Sequence, residues 1–127
     1  LDFNSVGLFS QHSEIPRTRP GVKLVVGLFN QTLVKFLSSH RDEAISIVNF
    51  DADIYSATAY VLGKLLPHLR RGSILHFHEM IRYESQAQPC RGSDEMRALY
   101  DVMKSLHLGP RFSQYLDRGG LKLKLLP

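Results

Sequence analysis

Apolar positions along the chain come in short clusters whose period changes from one cluster to the next. The run Val-Lys-Leu-Val-Val at 22–26, rich in β-branched residues and closed by Gly27, predicts a buried strand that ends in a turn. Asn30 is suited to cap the next segment, where Leu33, Val34, Phe36 and Leu37 predict the apolar side of a short helix. A polar break at 40–43 separates it from a second strand-like run, 44–50, which stops abruptly at Asp51-Ala52-Asp53.

The strongest helical signal follows. Val61, Leu62, Leu65, Leu66 and Leu69 recur at helical spacing on one face, with Asp53 or Ser56 available as the cap. Pro67, the Arg70-Arg71 pair and Gly72 mark the end of that helix. A third strand is predicted over 73–78, ending at Glu79. After an irregular stretch holding Pro89, Cys90 and Gly92, a helix is predicted over 93–106 with Met96, Leu99, Tyr100 and Met103 as its apolar face. Gly119-Gly120 then introduces 121–125, Leu-Lys-Leu-Lys-Leu, whose strict alternation predicts a half-exposed edge strand.

Strands alternating with helices imply an α/β fold of mostly parallel strands joined by right-handed crossover helices. Residues 1–21, with Pro16 and Pro20 among Ser, Gln, His and Arg, show little periodicity and read as an irregular segment ahead of the folded part. A length of 127 residues suits one domain. With 43% hydrophobic and 22% charged residues the chain is neither a disordered tail nor collagen-like. Its apolar runs are a few residues long, where a membrane span needs about 20, so no membrane partner is expected. The lone Cys90 excludes an internal disulfide and a cysteine-based zinc cluster. Together with an N-terminus that lacks the signal-peptide pattern, it points to a cytoplasmic setting. The first residue is Leu1 rather than Met, which fits a trimmed protein or a piece of a longer one. The net charge of +4 is scattered, with no basic stripe or interleaved aromatics, so nucleic acid is not expected as a partner.

In open parallel sheets ligands gather outside the carboxyl ends of the strands. Those ends are here Gly27 with Phe29, Asp51 with Asp53, and His78 with Glu79, all on one rim. Two carboxylates at 51 and 53 can hold a divalent cation or supply a general base. The plainer reading makes Asp53 a helix cap and Asp51 a turn residue. His76 and His78 share one face of an extended strand while Glu79 points to the other. The favoured ligand set is therefore His78 with Glu79 where the chain turns, leaving His76 in the sheet against a helix. None of the nine glycines forms Gly-x-Gly or a P-loop. Ser56 lies in no nucleophile elbow, and Cys90 beside Arg91 reads as an inert loop cysteine.

Three blocks, Val-Val-Gly-Leu-Phe-Asn-Gln-Thr-Leu at 25–33, Asn-Phe-Asp-Ala-Asp-Ile-Tyr-Ser-Ala-Thr at 49–58 with Leu-Pro-His-Leu at 66–69, and Arg-Gly-Ser-Ile-Leu-His-Phe-His-Glu at 71–79, together resemble the macrocin O-methyltransferase (TylF-type) group. That group belongs to the class I S-adenosylmethionine (SAM) dependent methyltransferases, with a Rossmann-like sheet. The resemblance covers about 22–106. It implies that Asp51 binds a magnesium ion and acts as base, that His78 and Glu79 complete the metal site, and that Gly27 and Phe29, with Asp51, lie near SAM. It also implies a small-molecule hydroxyl acceptor as substrate.

Two departures shape the expectation. His78 stands where the family has an acidic ligand, which lowers the negative charge offered to a hard cation. The glycine-rich first strand and the acidic residue that grips the ribose do not occur, so the chain resembles the C-terminal half of the fold, a partial Rossmann-like sheet. The implied partner is then the N-terminal half, or a second copy of the chain. The leading expectation is a SAM-dependent O-methyltransferase fragment. Its rivals are a non-catalytic α/β remnant or interaction module, and a small metal-dependent hydrolase using Asp51, Asp53, His76 and His78.

Overall fold

The structure is a computed structural model and describes residues 14–78, 81–82, 91–92, 94–107, 112–117 and 120–125. Helix α1 (Phe29–Ser39) leads to strand β1 (Ile45–Phe50) and helix α2 (Tyr55–Leu65). A 3₁₀ turn (Leu66–His68) carries the chain into β2 (Leu69–Phe77). The two-residue strands β3 (Ile81–Arg82) and β4 (Arg91–Gly92) pair antiparallel. Helix α3 (Asp94–Ser105) and strands β5 (Phe112–Asp117) and β6 (Gly120–Leu125) follow.

The main sheet has the order β1-β2-β6-β5, with β1 and β2 parallel and β6 antiparallel to both its neighbours. This is the expected α/β class, a partial Rossmann-like sheet, but the strands expected to be mostly parallel pair in parallel only at β1 and β2 among the described residues. Strand β6 is not the edge that its alternation predicted, because it lies between β2 and β5. Alternation reports which faces are apolar, whereas edge or centre is decided by backbone pairing. Its partner β5, Phe-Ser-Gln-Tyr-Leu-Asp, has no apolar run or clean alternation to announce it.

The strand predicted at 22–26 does not form. Those residues are irregular and exposed, and among the described residues no strand pairs with them. β-branched composition favours a strand only where a ladder partner and a packing surface exist. Strand β2 begins before the predicted 73, but its regular ladder with β1 starts at Ile47 opposite Ile74, after an irregularity. Gly72 has φ 90°, and Ser73 bridges the break, its Oγ accepting from Arg70 N at 2.9 Å and donating to Ile45 O at 2.6 Å.

The core joins Leu37 of α1, Phe50 of β1, Val61, Leu62 and Leu65 of α2, Leu75 and Phe77 of β2, and Ala98 and Leu99 of α3. Phe50 and Phe77 are opposite each other in the ladder and stack at 4.7 Å. The buried face of α3 keeps half of the predicted one, with Leu99 buried and Met103 packed on the core, but Glu95 and Ala98 are also buried and Val102 packs beside them, while Met96 and Tyr100 are exposed. Positions 95, 98, 99 and 102 keep the i, i+3, i+4, i+7 spacing, and a charged residue at 95 disguised it. No helix among the described residues is long and apolar enough to cross a membrane.

Candidate functional site

The parallel register places Asn49 opposite His76 and Phe50 opposite Phe77. One residue further on, Asp51 and His78 leave the sheet side by side, and His78 N donates to Phe50 O at 3.0 Å. Side chains alternate along each strand, so with Phe50 and Phe77 in the core the pairs Asn49/His76 and Asp51/His78 turn to the other face. His78 Nδ1 stands 3.9 Å from Asp51 Oδ1, and both side chains are 61% exposed. His76 was expected to pack against a helix. It instead pairs Nδ1 with Asn49 Oδ1 at 2.5 Å and meets the His78 ring edge-on, centroids 6.3 Å apart.

The loop that carries Asp51 has an unusual backbone. Asp53 has φ 57°, in the left-handed region, and Ile54 N donates to Ala52 O at 2.6 Å. Asp53 and Ser56, the two residues that the sequence offers as caps for α2, do not cap it; Ile54 is the N-cap and makes no side-chain cap bond. Helix α3 supplies the acceptors. Asp94 Oδ2 accepts from Tyr55 N at 3.4 Å, and Glu95 Oε1 accepts from Ala52 N at 3.3 Å. Tyr55 in turn donates its hydroxyl to Asp101 Oδ2 at 3.0 Å under the Arg97 guanidinium, which lies 4.9 Å from the ring centroid. The Asp101 hydrogen bond, helped by desolvation and the Asp101 charge and opposed by Arg97, holds the Tyr55 phenol above its ordinary pKa.

Among the described residues no three His, Cys, Asp or Glu side chains come together as a metal site. Asp51 and His78 offer one carboxylate and one imidazole, while magnesium requires near-octahedral coordination dominated by oxygen. Glu79, the third ligand that the resemblance implies, lies outside the described residues, as does Cys90. The described donors do not fit a magnesium ion by themselves. The hydrolase set Asp51, Asp53, His76 and His78 does not converge on one ion either.

Gly27 and Phe29 sit where the chain enters α1. Gly27 has φ 137°, and a Cβ there would come within 2.9 Å of Thr32 Cγ2. Asn30, the predicted cap, lies inside the helix behind Leu28, which makes no side-chain cap bond. Phe29 is exposed at the start of the helix. No hydrogen bond or ion pair among the described residues ties either residue to Asp51.

Sequence reasoning missed Asn49, Asp94 and Glu95. Glu95 carried a signal, because it falls on the helical stripe of Ala98 and Leu99 in a position that burial requires to be partnered.

No protein-family model matches the chain, and no curated protein matches it. Solved structures do. An apo structure of CalS11, a TDP-rhamnose 3′-O-methyltransferase of calicheamicin biosynthesis, superposes with TM-score 0.58 at 24% identity, covering 79% of this chain and 40% of that one. A second structure of CalS11, described as a calicheamicin methyltransferase, gives TM-score 0.58 at 21% identity over 79% of this chain and 36% of its own. The O-methyltransferase NovP gives TM-score 0.49 at 15% identity over 67% of this chain and 31% of its own. The CalS11 likeness shows the fold alone, that of part of the CalS11 chain, and this chain spans at most 40% of those chains.

Proposed function

We propose that the chain is the acid–base portion of a SAM-dependent O-methyltransferase of the macrocin (TylF-type) group, acting on a small-molecule hydroxyl. The observation that carries this reading is the placing of Asp51 beside His78 at the ends of two parallel strands, on a fold shared with O-methyltransferases.

SAM, when bound, supplies an electrophilic methyl group on a sulfonium. The residues of this chain serve the acceptor. Asp51 takes the proton of the acceptor hydroxyl as its oxygen becomes the nucleophile, work that a positioned base makes roughly 100 to 10,000 times faster. His78 faces the carboxylate with Nδ1 at 3.9 Å, beyond direct hydrogen-bond reach. Phe29 is the side chain offered to the adenine, and Gly27 allows the turn that presents it. The resemblance adds a cation held by Asp51, His78 and Glu79. Because the described donors do not suffice for magnesium, no step is assigned to it. A sugar hydroxyl, as the description of CalS11 suggests, is the acceptor class to try first.

A second reading is an interaction module, and its support is the exposed apolar stretch that includes Val26 and Leu28 together with Ile47 on β1, whose outer edge pairs with nothing among the described residues. In the methyltransferase reading that same edge receives the part of the fold that carries the glycine-rich strand.

The test is transfer of a labelled methyl group from SAM to a panel of sugar and polyketide alcohols by the whole protein. Label on an alcohol oxygen supports the first reading. Failure to bind SAM or to label any acceptor, with a stable complex formed through the β1 edge, supports the second.

A further inference from the structure

We infer that Glu95, with its neighbour Asp94, is a positioning residue for Asp51, so that the first turn of α3 sets where the candidate base points. The inference rests on the reading of Asp51 as proton acceptor, but the contacts stand without it. Glu95 is 1% exposed and lies on the core face of α3, where a carboxylate is costly unless polar groups meet it. One of those groups is Ala52 N, the amide directly after Asp51, at 3.3 Å. Asp94 takes Tyr55 N at the far end of the same loop, at 3.4 Å. The loop is thus pinned at both ends by adjacent carboxylates from a helix some forty residues away, at separations of 43 and 39.

Between the two pins, Asp53 holds φ 57°, a conformation that a non-glycine residue keeps when its surroundings impose it. The Asp51 side chain is itself 61% exposed, so the backbone that Glu95 holds sets where its Cα–Cβ bond starts and hence the region that the carboxylate can reach. A base displaced by about 1 Å from its productive position can cost about 100-fold in rate, which gives a remote anchor this much influence.

The experiment is amide hydrogen exchange followed by NMR, run beside methyl-transfer kinetics on the whole protein. Glu95→Leu removes the acceptor, and Glu95→Gln keeps an acceptor oxygen. The expected result is that Glu95→Leu speeds exchange at Ala52 roughly tenfold, the loss of one hydrogen bond, with the β1–β2 ladder amides unchanged. Turnover falls with little change in acceptor KM, and Glu95→Gln restores both readouts. Should Glu95→Leu fail to fold, Asp94→Ala at the exposed neighbour must loosen Tyr55 N alone and lower turnover in the same manner. Exchange that is unchanged at Ala52 and Tyr55, or that rises equally throughout the core, overturns the inference. Selective loosening with unchanged turnover, in a protein whose Asp51→Asn variant is also fully active, keeps the anchor and refutes the role of Asp51 instead.

Discussion

His78 faces Asp51, Nδ1 to Oδ1 at 3.9 Å, because the residues just before them, Phe77 and Phe50, are opposite one another on parallel strands and stack in the core. Replacing His78 by Asp at this exposed position sets two carboxylates side by side. His78→Asp is expected to strengthen magnesium binding, measured by calorimetry, and to change stability by no more than about 0.5 kcal/mol, as exposed substitutions do. Equal magnesium affinity in the two proteins would show that position 78 faces no cation.

One pair of this site is legible in the sequence. The apolar runs ending at Phe50 and at His78 are strands, and parallel neighbours bring their carboxyl ends together, so Asp51 and His78 were legible as a pair. What stayed hidden depended on contacts distant in sequence. The 22–26 run has strand composition but no partner, β6 is central only through β5, and the cap of α2 comes from α3. Local pattern carries faces and periods. It does not say which backbone groups find each other.

Tyr55 ties α2 to α3 through Asp101, and its pKa is raised first by that hydrogen bond. A phenol held protonated in the fold contributes stability that is fully present below the ordinary tyrosine value, about 10, and is lost as pH rises through the folded value. The wild type should therefore lose thermal stability on going from pH 9 to 11 more steeply than Tyr55→Phe, which should already melt lower at pH 7. Parallel melting curves across that range would remove the Asp101 bond from the account.

Thr58 is fully buried in α2, and among the described residues its Oγ1 has no hydrogen-bond partner. Thr58→Val keeps the shape and removes the stranded hydroxyl, so it should stabilise the protein by about 1 kcal/mol in a denaturant titration. A loss of the same size would mean that the hydroxyl is in fact bonded.

Gly27→Ala forces a Cβ into the left-handed region and against Thr32. A cost of about 1–3 kcal/mol is expected. Thr32→Ser paired with it should recover the steric part, since it removes the methyl that the new Cβ would strike. A double mutant no better than Gly27→Ala would leave the backbone angle as the sole cause.

The most direct test of the account compares Asp51→Asn with Asp53→Asn in methyl transfer from SAM by the whole protein. Asparagine tolerates the left-handed φ of 57° at position 53, so Asp53→Asn leaves the loop in place and should keep turnover close to the wild type. Asp51→Asn removes the proton acceptor and should lower turnover by roughly 100 to 10,000-fold with the fold intact. Equal losses in the two variants, or full activity in Asp51→Asn, would contradict the assignment of Asp51 as the base.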